Sequence, residues 1–98
     1  MRIEWSPLAI EDRDRIFDYY DIDQDNPRAA VMVDERIAQQ IEVLTDHPVF
    51  GRPGRINDTR ELVISNTPYL VAYRILGDAV RILRLLHSRQ LWPDDMQD

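Results

Sequence analysis

The chain has 98 residues, a formal net charge of −6 and no cysteine, which suits one domain over residues 1–93 followed by a frayed acidic tail, 94–98. The lack of cysteine excludes disulfides and thiolate metal sites, and because His47 and His87 form no spaced ligand set we expect no metal and no cofactor. No apolar run approaches the ~20 residues of a membrane-spanning helix, so we expect a soluble, cytoplasmic protein.

The opening residues predict a short strand followed by an amphipathic helix. Residues 2–5 alternate polar and apolar side chains, as a half-buried strand does. Ser6 can cap a helix whose first turn tolerates Pro7, because the missing N–H would be unpaired there. Over residues 7–21, apolar side chains recur with helical spacing while charged side chains cover the opposite side.

A second helix begins with the same signature. Asn26 can cap it, and Pro27 suits its first turn. Apolar side chains follow at intervals of three and four as far as Leu44, which is the clearest helical pattern in the chain. The acidic linker over residues 21–25 is short enough to fold the two helices antiparallel. These residues therefore predict a helical hairpin.

After a loop rich in glycine and proline, the hydrophobic period changes to two. Runs at Arg60–Ser65, Tyr69–Leu76 and Ala79–Leu86 are rich in β-branched and aromatic residues, so we predict three strands. The dipeptide Gly77-Asp78 suits a two-residue hairpin turn. The expected fold is α+β, a helical hairpin packed on a small antiparallel sheet in the order β-α-α-β-β-β.

The register of the last hairpin determines which side chains share a face. A two-residue turn places Arg74 opposite Arg81, and alternation extends the same face to His87 and Arg89. Like charges opposite each other destabilise a sheet unless water or an anion accommodates them. Two interpretations follow: arginines solvated near a hairpin tip, or a contact patch for phosphate or for acidic residues of a partner.

Other residues raise the same choice between structure and function. Arg84 lies on the face expected to take the helices, where an unpaired charge is costly, so we expect it to be paired with Glu61 or a helix carboxylate. Trp92 follows the last strand and either covers the sheet edge or anchors a partner. Tyr19 and Tyr20 have the helical spacing of core residues.

The charge is divided unevenly along the chain. Residues 1–49 carry 12 acidic residues against five arginines, whereas residues 50–93 carry three acidic residues against seven arginines. Every basic residue is arginine, which is suited to planar contacts with carboxylate or phosphate. A net charge of −6 opposes nucleic-acid binding at long range, although a local basic face would partly offset it.

Five short motifs follow one another between residues 51 and 93: Gly-Arg-Pro-Gly-Arg, Arg-Glu-Leu, Pro-Tyr, Tyr-Arg and Leu-His-Ser-Arg. In this order they resemble the plasmid-stabilisation branch of the RelE/ParE superfamily, and the likeness extends back to the Ile3-Glu4-Trp5-Ser6 strand. The resemblance implies the toxin of a type II toxin-antitoxin pair, which inhibits growth when alone. It also implies a cognate antitoxin as partner, in a heterodimer or a higher-order complex.

Members of this superfamily have one of two activities. RelE-like members cut messenger RNA in the ribosomal A site, with arginines on the sheet and a basic or aromatic residue near the C-terminus. ParE-like members poison DNA gyrase and are not known to need a catalytic constellation. Here Leu70 stands where the RelE pattern has an arginine, and the lysine-rich loop of a ribosome-directed nuclease is absent. We therefore favour a non-enzymatic gyrase inhibitor without catalytic residues.

Two alternatives stay open. In a ribosome-dependent endonuclease, Arg89 would stabilise developing phosphate charge and His87 would assist proton transfer. A degenerate family member would bind antitoxin without being toxic. The acidic hairpin, including Asp12 and Asp14, offers a surface for a positively charged region of gyrase. The candidates for contact with target or antitoxin are Arg60, Arg74, Arg81, His87, Arg89 and Trp92.

Overall fold

A five-stranded sheet carries a hairpin of two helices on one face. The computed structural model describes residues 1–90, so Trp92 and the tail expected at 94–98 lie outside the described residues. The helices are Pro7–Asp18 (α1) and Pro27–Glu42 (α2). The strands are Arg2–Trp5 (β1), Arg52–Pro53 (β2), Arg60–Val63 (β3), Tyr69–Leu76 (β4) and Ala79–His87 (β5), in the spatial order β1-β5-β4-β3-β2.

The α+β prediction is confirmed, with two differences in the sheet. β1 pairs with β5 in parallel, so the sheet is mixed rather than antiparallel. Alternation predicts that a segment is a strand but leaves its partner and direction open, and no short turn ties β1 to β5. The two-residue β2, which was expected to be loop, pairs with β3 over Arg60 and Glu61.

Both helices begin at the predicted caps. The Oγ atom of Ser6 accepts a hydrogen bond from the backbone N–H of Ala9 at 3.1 Å, and Oδ1 of Asn26 accepts one from Ala29 at 3.1 Å. In each case proline occupies the first turn. The hairpin packs its apolar stripe against the sheet. The buried side chains of this core include Ala9, Val33, Ile37, Ile41, Leu44, Val71, Tyr73, Val80, Ile82 and Leu85.

The first helix does not stop where the acidic linker was predicted to begin. Residues Tyr19–Asp23 continue it as a π-helical turn, and the backbone N–H of Asn26 then closes the turn on the carbonyl of Tyr20 at 2.8 Å. The wider turn changes the direction of the side chains that follow α1. Tyr19 is 45% exposed, so the prediction that it packs in the core is wrong.

A β-bulge in β5 shifts the register of the last hairpin. The predicted pairing holds from the turn as far as Tyr73 opposite Ile82. Beyond that point Ala72 pairs with Arg84, where the regular register predicts Leu83. A bulge places one extra residue on one strand, so every later pair moves by one position and changes face.

The bulge divides the set of residues that was predicted to share one face. Arg74 does lie opposite Arg81, as predicted. His87, however, pairs with Tyr69 and stacks against its ring edge to face, with the ring centroids 5.6 Å apart. Tyr69 belongs to the core under the helices. His87 therefore lies on the helix side of the sheet, and its predicted place beside Arg74 and Arg81 is wrong.

Candidate functional site

Side chains of the first helix complete the outer edge of β5. β1 pairs with β5 only as far as Ile82. There the backbone N–H of Ser6 donates to the carbonyl of Ile82 at 2.9 Å, and its hydroxyl donates to the carbonyl of Leu83 at 2.8 Å. Next, the N–H of Leu85 donates to Oδ2 of Asp12 at 3.0 Å. Ser6, the cap of α1, and Asp12 within α1 thus satisfy polar groups that an open edge would expose.

Asp12 also forms a buried ion pair with Arg84. Its Oδ2 accepts from Nε of Arg84 at 2.7 Å and its Oδ1 accepts from Nη2 at 3.0 Å. Arg15 donates to the same Oδ1 at 2.9 Å. The expectation that Arg84 is paired with a helix carboxylate is confirmed. The use of Asp12 in a contact surface is wrong, because this residue is 2% exposed, whereas Asp14 is exposed.

The sheet arginines that were predicted as contact residues already have roles in the fold. Arg60 donates from Nη1 to the carbonyl of Gly51 at 2.7 Å. Arg81 lies 3.9 Å from a carboxylate oxygen of Glu4. Arg60 and Arg74 together line a shallow cavity of about 530 Å³. Two of the predicted contact residues therefore meet at one cavity, while Arg81 belongs to an ion-pair network at the β1 edge.

The Gly-Arg-Pro-Gly-Arg motif folds around two buried groups. The N–H of Gly51 donates to the hydroxyl of Tyr73 at 2.9 Å, and that hydroxyl donates to the carbonyl of Pro48 at 2.8 Å. The carboxylate of Glu61 accepts from the backbone of Arg55 at 2.8 Å and from Nη2 of Arg52 at 3.1 Å. The motif is therefore an anchored loop and not a phosphate-binding loop, which would need a lysine and a hydroxyl residue at fixed spacing.

The environment of Glu61 predicts a dependence of stability on pH. Burial by itself would raise the pKa of this carboxyl, but the hydrogen bonds from Arg55 and Arg52 outweigh burial, and the pKa lies below its ordinary value of 4.5. A carboxyl with a lowered pKa stabilises the fold above its unfolded pKa, and this contribution is lost as the pH falls through the folded pKa.

We therefore expect Glu61→Gln to lower the free energy of unfolding by about 1–3 kcal/mol near neutral pH. The difference from the parent protein should shrink as the pH falls below 4.5 and through the lower pKa of the folded protein, because the parent carboxyl then becomes protonated. Urea unfolding at each pH measures this, with the exposed Glu42→Gln as the matched control. A difference that stays constant over this range would contradict the role assigned to Glu61.

A cleft of about 660 Å³ lies between the hairpin turn and the ends of β4 and β5. Four aromatic side chains line it, and we call it the tyrosine cleft (Tyr19, Tyr20, Tyr69 and His87). Tyr19 and Tyr20 contact each other edge to face, with centroids 5.0 Å apart. Burial and the neighbouring phenol of Tyr20 raise the pKa of Tyr69. The phenol of Tyr69 is therefore a neutral hydrogen-bonding group at physiological pH.

The backbone after β5 fixes the ring of His87. Its Nδ1 accepts a hydrogen bond from the N–H of Arg89 at 3.1 Å, so the neutral ring carries its proton on Nε2. The N–H of His87 donates to Oε1 of Gln90 at 3.1 Å. His87 and Arg89 thus stay neighbours, as an endonuclease would need, but they lie apart from the paired Arg74 and Arg81.

Metal binding and membrane insertion can each be compared with the described part of the chain. Among residues 1–90, no group of three or more potential metal ligands comes together. Over the same residues, no helix is long and apolar enough to span a membrane.

Comparison with known protein families identifies the chain. The family model described as "ParE toxin of type II toxin-antitoxin system, parDE" matches residues 3–92. The chain belongs to the ParE toxin family. As a ParE-family member it is a toxin of the type II toxin-antitoxin class, which confirms the superfamily resemblance drawn from the motifs between residues 51 and 93.

Relatives of this ParE-family chain agree with the assignment. The Sinorhizobium fredii protein named "Putative toxin Y4kP" is 45% identical over 92 residues, which cover 94% of this chain and 93% of that protein. Among solved structures, a chain of the "Chromosomal ParDE TA system from P. aeruginosa" has a TM-score of 0.80 at 27% identity, covering 89% of this chain and 95% of that one. Both matches extend over nearly the whole chain.

Proposed function

We propose that this ParE-family toxin inhibits growth by poisoning DNA gyrase and that a cognate antitoxin neutralises it. The family match over residues 3–92 carries the proposal. An inhibitor that acts by binding a protein needs a complementary surface and not a catalytic constellation. The known ParDE complex named above makes an antitoxin the natural first partner to test.

The arrangement of candidate catalytic residues supports a binding mechanism over messenger RNA cleavage. Leu70, at the position of an arginine in the RelE pattern, is 3% exposed and makes no charge available there. His87 keeps Arg89 as its neighbour, but the paired sheet arginines Arg74 and Arg81 lie apart from His87, which is beside Tyr69 on the helix side. An endonuclease that stabilises a phosphate and moves a proton needs these groups around one reacting centre.

Induced expression without antitoxin should stop DNA synthesis before protein synthesis. Pulse-labelling of both processes in the first minutes measures the order, and purified toxin added to gyrase should increase the amount of cleaved DNA held by the enzyme. Co-expression of the neighbouring antitoxin is the control and should restore growth. An immediate halt in translation with cleaved messages would instead favour the endonuclease, and harmless expression of folded protein would favour a degenerate member.

A further inference from the structure

The tyrosine cleft has a size and a lining typical of a recognition site. Its volume of about 660 Å³ falls within the ~300–1,000 Å³ of ligand pockets, which combine apolar and aromatic walls with a few polar groups. The π-helical turn brings Tyr19 and Tyr20 to one wall, and the register after the bulge brings His87 beside Tyr69 on the other. Both departures from regular structure thus serve the same cleft.

The charge around the cleft determines which ligands suit it. Residues 16–27 form the hairpin end of the cleft and contain four aspartates, with Arg15 and Arg28 on either side of them. Of the residues that line the cleft, Asp12 and Arg15 are charged; Asp12 is shared between Arg15 and Arg84, so one positive charge remains at the cleft against the four aspartates. An anionic ligand would meet the repulsion of the acidic hairpin end, whereas a cation would be attracted to it.

We propose that the tyrosine cleft binds an arginine side chain from a basic segment of a protein partner. This proposal rests on the proposed function in one respect, namely that the toxin acts by binding proteins. Aromatic faces attract cations, and arginine is preferred because its planar guanidinium stacks on a ring while its N–H groups still donate hydrogen bonds. The amide of Gln24 and the tyrosine hydroxyl oxygens supply acceptors at the cleft wall.

The exposure of Tyr19 supports a role for the cleft outside folding. Tyr19 is 45% exposed in the described part of the chain, although tyrosine contributes most when its ring is covered and its hydroxyl remains hydrogen-bonded. A guanidinium seated between Tyr19 and the opposite wall would cover this ring. Exposed aromatic residues of this kind are typical anchors of protein interfaces.

The test uses the purified full-length toxin labelled with [13C]tyrosine and the peptide acetyl-Gly-Arg-Gly-Arg-Gly-amide. The chain has four tyrosines, of which three line the cleft and the fourth, Tyr73, is 0% exposed and serves as an internal reference. Titration should shift the ring resonances of Tyr19, Tyr20 and Tyr69 and leave Tyr73 unchanged. A peptide with citrulline in place of each arginine has the same shape without the charge.

The citrulline peptide should bind at least about fivefold more weakly than the arginine peptide, as expected for a cation on aromatic rings. Tyr19→Leu, which keeps the net charge, should weaken arginine binding about fivefold. The control Phe50→Leu changes an aromatic ring that is 66% exposed and lies outside the cleft lining, and it should leave binding unchanged. Asp23→Asn should weaken binding more at low salt than at high salt.

Equal binding of the two peptides would overturn the proposal, and so would an unaffected Tyr19→Leu variant that keeps its cooperative thermal unfolding. The absence of any shift in the three cleft tyrosines would overturn it as well. These outcomes are separate from the proposed function, because the peptide titration needs neither gyrase nor toxicity. Loss of gyrase poisoning with intact arginine binding would contradict only the target.

Discussion

Asp12→Ala should lower the free energy of unfolding by about 3–5 kcal/mol, the usual cost of removing one partner of a buried ion pair. The substitution leaves Arg84 buried without its bidentate carboxylate, and it also removes the acceptor of the Leu85 N–H. Since single domains are stable by only about 5–15 kcal/mol, we expect a large shift of the urea midpoint. Urea unfolding followed by circular dichroism measures it.

Two further variants separate the buried pair from general effects on helix α1. Glu11→Ala, at the neighbouring exposed position, should change stability by less than about 0.5 kcal/mol. Asp12→Ala combined with Arg84→Met should recover part of the loss, because the uncompensated charge is then gone. A loss under about 1 kcal/mol for Asp12→Ala would mean that water replaces the carboxylate and that the pair is not required.

Gly51→Ala should destabilise the protein by about 1–3 kcal/mol, the range for overpacking a filled site. A Cβ atom at this position would lie 2.6 Å from the hydroxyl of Tyr73 and 2.8 Å from the carbonyl oxygen of Glu61. The backbone carbonyl cannot move without disturbing β3, so the loop itself must shift. That shift would weaken the bond from Gly51 N–H to Tyr73. Thermal or urea unfolding measures the effect.

Two comparison variants identify the cause of the destabilisation by Gly51→Ala. Gly77→Ala has a different origin of strain, because its φ is +59° and nothing lies within 4 Å of the added Cβ, so we expect a cost of about 1 kcal/mol. In the Tyr73→Phe background the cost of Gly51→Ala should decrease, because the nearest of the three close contacts, the Tyr73 hydroxyl, is removed while ring Cε1 and the Glu61 carbonyl remain. The same cost in both backgrounds would show that the Tyr73 hydroxyl is not the obstacle.

The elements that depend on local chemistry could be predicted from the sequence. Ser6 and Asn26 begin the two helices, since a cap acts within one turn of its own position. The Gly77-Asp78 turn likewise fixed the pairing of Arg74 with Arg81. These interactions involve residues close together along the chain, where residue type and spacing largely determine the structure.

The features that were missed depend on contacts between distant residues. Alternation cannot reveal the β5 bulge, because the run from Ala79 to His87 reads as a continuous strand with or without it. The position of His87 followed from that bulge, and so did the cleft it lines. Asp12 lies one helical turn from apolar residues of α1, which is only a weak indication that it is buried. Its partner Arg84 is 72 residues away along the chain, so local spacing does not reveal the ion pair.

The closure of the β5 edge also bears on when this toxin can become active during its synthesis. The bonds from Ser6 to Leu83 and from Leu85 to Asp12 join residues 77 and 73 positions apart. Such contacts form only after nearly the whole chain has left the ribosome, and they make folding slower than local contacts would. A nascent chain interrupted before residue 83 would lack both bonds and the end of β5, so we expect truncated translation products to be unfolded and harmless to the cell that makes them.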